Sequence, residues 1–402
     1  MGKETVNSNP ISDSSHSPHS SNAPAEKDFI REFSRVFQLK NKPLLSGSEF
    51  DDCAAVRLSA FCRDLSSESL TFSTDTVRES TDFPAGMTLW QKGWMAAAVN
   101  LSDLAAMGST PVAFLFSAGL PRGFTLEDTT QLAQGIQECV SFFGAEVIGG
   151  DTEYSEELTI TGTVIGISNN KHLTLRKNAQ PGDLLCLTGF AGSAGVALKV
   201  LLDQTSKVVS EAFLKNLSEP FPRIFEGKML AESGAVNSMI DTSDGLASSV
   251  YELSALSGVF FEIDEQNLPL DGEALNIISS YLKNEDKNEK NDADNQEQRD
   301  TKAYDALISE ALYTGGDFEL LFTISPDKLS LVEELFRQFN TSAADRFSRL
   351  PSDGKSGRFP CKFTVIGKAI AEKENVILRH TGNGQKRYPL LKMGYDSFTK
   401  YI

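Results

Sequence analysis

The amino-acid sequence predicts an α/β (α+β) protein of two domains. Strand-like and helix-like stretches alternate from about Phe29 onward. A turn signal, Pro181-Gly182-Asp183, divides them into two groups. The chain has 402 residues, 40% of them apolar and 23% charged. At about 100–200 residues per domain, that length and composition suit two hydrophobic cores.

Residues 1–27 hold seven serines and three prolines. Such a segment buries too little surface to offset its ordering entropy, so it reads as a disordered tail. Phe29, Ile30, Phe33, Val36 and Phe37 then recur at helical spacing. Leu70–Val77 reads as a strand, Leu89–Met107 as a helix and Val112–Ser117 as a strand. Leu126–Phe143 is a second long helix, with Leu132, Ile136, Cys139, Val140 and Phe143 as its apolar stripe. Strands at Glu146–Ile148 and Leu158–Ile167 complete a first domain, 28–170.

The second domain, 171–402, opens with a strand at Leu184–Thr188. The run Gly189-Phe-Ala-Gly192-Ser-Ala-Gly195 then leads into a helix through Leu202. It serves either as a phosphate cradle or as a tight strand-to-helix turn; it is neither a Walker A loop nor a GxGxxG fingerprint. A helix around Leu246–Leu256, strands at Val259–Ile263 and Glu319–Ile324, a helix over 328–339 and a strand at Phe363–Ala369 follow. Residues 283–302 contain one apolar side chain, Ala293, and read as a disordered polar insertion.

Composition narrows the function. A net charge of −17 argues against a nucleic-acid or anionic-membrane partner, either of which favours a basic face. It leaves phosphate substrates open, because divalent metals supply positive charge locally. No run of about 18 apolar residues predicts a membrane span, and no apolar leader core is present. Five scattered cysteines with no CxxC pair read as reduced thiols, so a cytosolic location is expected. The histidines are His16, His19, His172 and His380, none among the acidic motifs, which disfavours histidine-base chemistry.

The acidic motifs stand out. They are Asp51-Asp52, Asp75 in Ser73-Thr74-Asp75-Thr76, Asp103 in Asn100-Leu-Ser-Asp103, Asp151 after Gly149-Gly150, and Asp241 with Asp244 in Asp241-Thr-Ser243-Asp244-Gly245. Each lies beside small or hydroxyl residues and next to an apolar segment. Taken singly, an aspartate before a helix is an N-cap, and Asp103 is a polar residue turned outward. Repeated at such positions, carboxylates suit a hard cation such as Mg²⁺, which takes a few carboxylates, water and substrate phosphates.

In this order the motifs resemble the thiamine-monophosphate kinase family, part of a larger group with aminoimidazole ribonucleotide synthetase and selenophosphate synthetase. The specific piece is Ala98-Val-Asn-Leu-Ser-Asp-Leu-Ala-Ala-Met-Gly108, joined by Gly149-Gly-Asp-Thr152, Asp241-Thr-Ser-Asp-Gly-Leu246 and Gly394-Tyr-Asp-Ser-Phe398. The resemblance implies a synthetase-like fold whose N-terminal domain forms a barrel-like homodimer core. It also implies ATP and thiamine monophosphate as substrates, Mg²⁺ as cofactor, and room for K⁺. The implied metal ligands are Asp52, Ser73, Thr74, Asp75, Asp103, Asp151, Asp241 and Asp244, with Asp75, Asp151 and Asp244 the catalytic members. Gly150, Asp151 and Ser243 would contact the nucleotide, Arg176 its phosphates, and Tyr395 the thiamine phosphate.

Three positions depart from the family pattern. Gly315-Gly316-Asp317-Phe-Glu-Leu320 is one acidic residue short, so either Asp317 replaces a substrate-binding glutamate or that contact is lost. Asp82 stands where a substrate-side histidine is expected, and Phe50-Asp51-Asp52 replaces Gly-Asp-Asp. Two other readings compete: a different ATP-dependent enzyme of the larger group, and a non-catalytic nucleotide-binding protein. The Asn-Leu-Ser-Asp-Leu and Gly-Tyr-Asp-Ser-Phe pieces favour the kinase over the first. The retained aspartates favour it over the second.

Overall fold

The computed structural model of the protein describes residues 26–37, 44–46, 55–56, 64, 66–202, 209–286, 296–346, 361–381 and 384–395. Asp51 and Asp52 lie outside them, as do residues 1–25, 287–295 and 396–402.

The first half runs α1 (Glu26–Val36), β1 (Leu44–Ser46), β2 (Ala55–Val56), β3 (Glu68–Arg78), α2 (Leu89–Ala106), β4 (Thr110–Leu120), α3 (Leu126–Phe142), β5 (Glu146–Tyr154) and β6 (Thr159–Asn169). Both long helices start at capping boxes. The Thr88 hydroxyl accepts from the Gln91 N–H while the Gln91 side chain accepts from the Thr88 N–H; Thr125 and Asp128 repeat the arrangement. Helices α2 and α3 touch backbone to backbone through glycine. A Cβ on Gly93 would lie 2.1 Å from the Leu132 carbonyl oxygen, and one on Gly135 1.9 Å from that of Trp90.

Strands β3, β6, β4 and β5 form one sheet in that order. One face packs on α2, α1 and α3; Phe33 of α1 meets Phe116 of β4 at 5.0 Å between ring centroids. The other face is open, and Phe72 is 64% exposed there. The barrel-like core expected for this half is therefore corrected. β3 and β5 are free edges of an open sheet, and among the described residues no sheet closes on itself. Four strands at about 4.8 Å spacing, turning about 20–25° each, sweep too little arc to bring their own edges together.

The second half runs β7 (Leu184–Thr188), α4 (Ser193–Leu202), α5 (Glu211–Ser218), α6 (Ile224–Glu232), β8 (Val236–Asp241), α7 (Leu246–Ser257), β9 (Phe260–Asp264), α8 (Gly272–Asp286), α9 (Gln296–Tyr313), β10 (Leu320–Ile324), α10 (Leu329–Arg346), β11 (Phe363–Ile370), β12 (Val376–Thr381) and β13 (Gly384–Pro389). Its sheet has the order β13-β12-β9-β11-β7-β10-β8. Interior strand β10, between β7 and β8, is buried along its whole length, as its unbroken Leu-Leu-Phe-Thr-Ile run requires for a strand covered on both faces. One face shares a core with α2 through Phe221, Ile224, Met239 and Phe322. The other packs on α7 and α9 through Val250, Leu253 and Ile308. Residues 283–286 end α8, and 296–302 begin α9, so both flanks of the polar insertion are helical.

Candidate active site

The core shared by the two sheets leaves a cleft of about 610 Å³ between them. That is within the usual range for a small-molecule site, about 300–1,000 Å³. Its wall carries Asp75, Asp103 and Asp244 with Arg176 and Ser243. It also carries the apolar side chains Phe83, Leu198, Leu217 and Phe318.

Asp75 sits within β3, not at an element end. Ser73, Asp75 and Val77 alternate toward α2, while Phe72, Thr74 and Thr76 face the open side. The Asp75 N–H, unpaired on an edge strand, donates to the Asn100 side-chain oxygen of α2 at 3.0 Å. Asn100 is itself fixed by donating to the Ala96 carbonyl at 3.0 Å. Asp103, one turn on from Asn100, accepts from the Ser73 hydroxyl. Thr74 points the other way and donates to the Gly162 carbonyl at 2.7 Å.

Asp241 ends β8 and is 3% exposed. Its carboxylate accepts from the Ser102 hydroxyl at 2.6 Å, and its carbonyl from Ser249 at 2.9 Å. Asp244 and Ser243 lie in the following turn, whose sharp path needs Gly245 at φ 100°. The carboxylates are crowded. Burial first, then repulsion from Asp103 and Asp244, raises the Asp75 pKa to about 6. Burial and the same neighbours push Asp241 up to about 7, with Ser102 and Arg176 opposing. Asp75, Asp103, Asp241 and Asp244 thus form one electrostatic group with Arg176 beside it.

The Tyr395 hydroxyl donates to Asp82 at 2.8 Å, and the Tyr395 N–H donates to the Asp244 carbonyl at 2.9 Å. Tyr395 and Asp82 both line the cleft, and Tyr395 ties Asp82 to the Asp244 turn. Phe318 has a left-handed backbone, φ 53°, uncommon for an aromatic residue. Sequence reasoning assigned no role to Asn100, Ser102 or Phe318. For the first, the i, i+3 spacing of Asn100 and Asp103 was the available signal.

Two expected members lie elsewhere. Asp317 is absent from the cleft wall; its carboxylate accepts from the Gly192 and Ala194 N–H groups at 2.7 and 2.9 Å. It caps the start of α4, so the amides of the glycine run are already occupied by a carboxyl group, whose pKa burial raises to about 7 against the pull of those amides. Gly150 and Asp151 lie inside β5, at the edge of the sheet opposite Asp75. Two strands intervene, a span of about 14 Å. Asp151 aligns with Ser117, Thr161 and Thr76, on the open face, whereas Asp75 faces α2. Among the described residues no three acidic, histidine or cysteine side chains converge to enclose a metal ion. The pair Asp75–Asp103 with Ser73 still fits Mg²⁺, which takes one or two carboxylates and completes its shell with water and phosphate oxygens.

A family model described as AIR synthase related protein, N-terminal domain, matches residues 50–168. Thiamine-monophosphate kinase of Methanospirillum hungatei is 38% identical over 279 residues, covering 69% of this chain and 81% of the relative. That of Pyrococcus horikoshii is 33% identical over 343 residues, covering 85% and 91%. The crystal structure of thiamine-monophosphate kinase from Stenotrophomonas maltophilia K279a superposes with a TM-score of 0.66 at 24% identity, over 88% of this chain and 96% of that one. That likeness speaks for the fold alone. Among the described residues no helix is long and apolar enough to cross a membrane. The sequence identity, sustained over most of both chains, places this chain in the thiamine-monophosphate kinase family.

Proposed function

We propose that this chain transfers the γ-phosphoryl group of ATP to thiamine monophosphate, giving thiamine diphosphate and ADP. The observation that carries this reading is the cleft. Its wall bears Asp75, Asp103 and Asp244 with Arg176, together with the apolar side chains Phe83, Leu198, Leu217 and Phe318, and its volume of about 610 Å³ is in the range for small-molecule sites. An oxygen of the acceptor phosphate bonds to the γ-phosphorus as the bond to the β,γ-bridging oxygen breaks. A phosphate monoester is largely ionised at pH 7, with its second pKa near 6, so no general base is required. Catalysis then rests on position and charge.

Asp75 and Asp103 with Ser73 would hold Mg²⁺, with Asp241 and Asp244 in the same electrostatic group beside them, whereas Thr74 faces the open side of the sheet and is not a ligand in this reading. When bound, Mg²⁺ supplies the positive charge that offsets two polyanions. Arg176 clamps phosphate oxygens by charge-assisted hydrogen bonds. Ser243 reaches the nucleotide, and Tyr395 with Asp82 borders the acceptor. A monovalent ion, K⁺, is compatible with the same oxygen-rich group.

The chain divides near residue 170, between its two larger sheets, and works as a homodimer in this reading. Asp151 and Asp75 stand on opposite edges and faces of one open sheet, so one subunit does not unite them. The exposed face carrying Phe72 and Leu70 offers the surface for a second copy. Subunit mixing tests this directly.

The cation site is tested by thermal unfolding with and without Mg²⁺. The raised pKa values of Asp75 and Asp241 mean that the native protein binds these protons more tightly than the unfolded chain. The metal-free fold therefore loses their contribution as pH rises from about 4 to 7. Mg²⁺ competes with those protons, so its stabilisation grows over the same window. Millimolar Mg²⁺ is expected to raise the Tm more at pH 8 than at pH 5.5. Mg-ATP at 100 times its Kd should then add about 2.7 kcal/mol. Equal Mg²⁺ shifts at both pH values would contradict a site built on these carboxylates.

A further inference from the structure

Thr242 stands between Asp241 and Ser243-Asp244. Its N–H donates to the Glu319 carbonyl at 2.9 Å, and its hydroxyl accepts from the Glu319 N–H at 3.0 Å. The backbone of Glu319 therefore holds the turn that carries these acidic residues. The side chain of Glu319 points away from the cleft, toward a second cavity of about 280 Å³ on the other side of the turn. It is 6% exposed.

A carboxylate there needs strong partners. Glu319 has three: the Thr188 hydroxyl at 2.6 Å, Arg223 Nε at 2.7 Å and Arg223 Nη2 at 2.5 Å. The Arg223 contact is the two-pronged form that fixes orientation as well as distance. Thr188 in turn accepts from the Leu320 N–H at 2.8 Å, closing the network on β10. Space is tight: a Cβ on Gly189 would lie 2.0 Å from the Glu319 carboxylate.

Arg223 is 4% exposed and immediately precedes α6. Burial works against its charge, and Cys361, Glu319 and Glu226 outweigh it, so its pKa lies well above the ordinary value. Helix α6 is pressed against α2, where a Cβ on Gly227 would lie 2.1 Å from the Ala105 carbonyl oxygen. Helix α2 carries Ser102 and Asp103. A continuous rigid path thus runs from Asp103 through α2, α6, Arg223 and Glu319 to Thr242. It ends between the two aspartates that face Asp103 across the site.

We propose that the Arg223–Glu319 pair is a positioning device for phosphoryl transfer. It sets the placement of the Asp241–Asp244 turn against Asp75 and Asp103 without touching a substrate. The inference rests on the kinase reading for its activity readout and on the acidic group alone for its metal readout.

Glu319→Gln keeps the shape and removes the charge. Arg223→Gln/Glu226→Gln/Glu319→Gln removes all three charges, because Glu226 is fully buried 3.5 Å from Arg223, and leaves no ion buried without its partner. Each variant is assayed for kcat, for KM of ATP and thiamine monophosphate, and for the Mg²⁺ concentration at half-maximal thermal shift without substrates. The expected result is a cooperatively folded protein with kcat about 10–100-fold lower, both KM values within about 3-fold, and a Mg²⁺ midpoint several-fold higher. Arg379→Gln breaks a remote pair with Glu265 and should leave all of these unchanged. Wild-type kcat and an unchanged Mg²⁺ midpoint in the folded variants would overturn the proposal. Failure of both variants to fold would also count against it, by making the pair a requirement of folding. A wild-type chain inactive on thiamine monophosphate would sink the kinase reading, while the Mg²⁺ midpoint would still decide this one.

Discussion

Asp75→Asn is expected to lower kcat by about 1,000-fold while leaving the fold intact. Asp75 lies on an edge strand, open to the cleft, and contributes no core volume. Its N–H bond to Asn100 belongs to the backbone and survives the substitution. The lost charge faces the site of phosphoryl transfer. Removing a single preorganised electrostatic group from such a site typically costs about 10²–10³ in kcat. Stability should move the other way. Burial and the Asp103 and Asp244 charges hold the Asp75 pKa near 6, so at pH 8 its ionised form strains the metal-free fold. The neutral amide relieves that strain, and the metal-free Tm should stay level or rise. Near-normal kcat, or a collapse of the metal-free Tm, would contradict the role given to Asp75.

Mixing inactive subunits should restore activity. Asp75→Asn and Asp151→Asn are each expected to be inactive alone. In a mixed dimer where Asp151 serves the neighbouring subunit's Asp75, one site carries both substitutions and the other carries neither. Random assembly of equal amounts then returns about a quarter of wild-type activity in the mixture, and about half in the isolated mixed dimer. The geometry motivates this expectation: β3 and β5 are opposite edges of one sheet, and Asp151 points to its open face. Coexpression with two different tags and isolation of the doubly tagged species gives the measurement. No recovery in that species would place Asp151 outside the neighbour's site.

Much of this architecture is legible along the chain, and the parts that are not share a cause. The helix over 126–142 announces itself by an apolar stripe, that over 89–106 by a long run of small and apolar residues, and both by capping boxes, all local signals. Asp75, Asp103, Asp241 and Asp244 stand in recognisable motifs, and the fold gathers them around one cleft. Strand order is different, because it is set by pairing between segments far apart in sequence. The expected end of a strand at Ile148 hid the fact that β5 runs on to Tyr154 with Asp151 inside it. The barrel-like expectation failed for the same reason, since the first half forms an open four-stranded sheet among the described residues. The family resemblance left Asp317 either as the replacement for a substrate-binding glutamate or as a lost contact. Its partners, Gly192 and Ala194, lie more than 120 residues earlier. Arg223 gave no local signal at all; its meaning depends on Glu319, 96 residues later.

The most direct test of the account is an end-point reaction of the purified chain with ATP and thiamine monophosphate, resolved by chromatography. Thiamine diphosphate and ADP formed in equal amounts, only when Mg²⁺ is present, is the result the account predicts. ATP-dependent stabilisation without any thiamine diphosphate would contradict it, and would show that Asp82 and the shortened Gly315-Gly316-Asp317 motif serve a different acceptor.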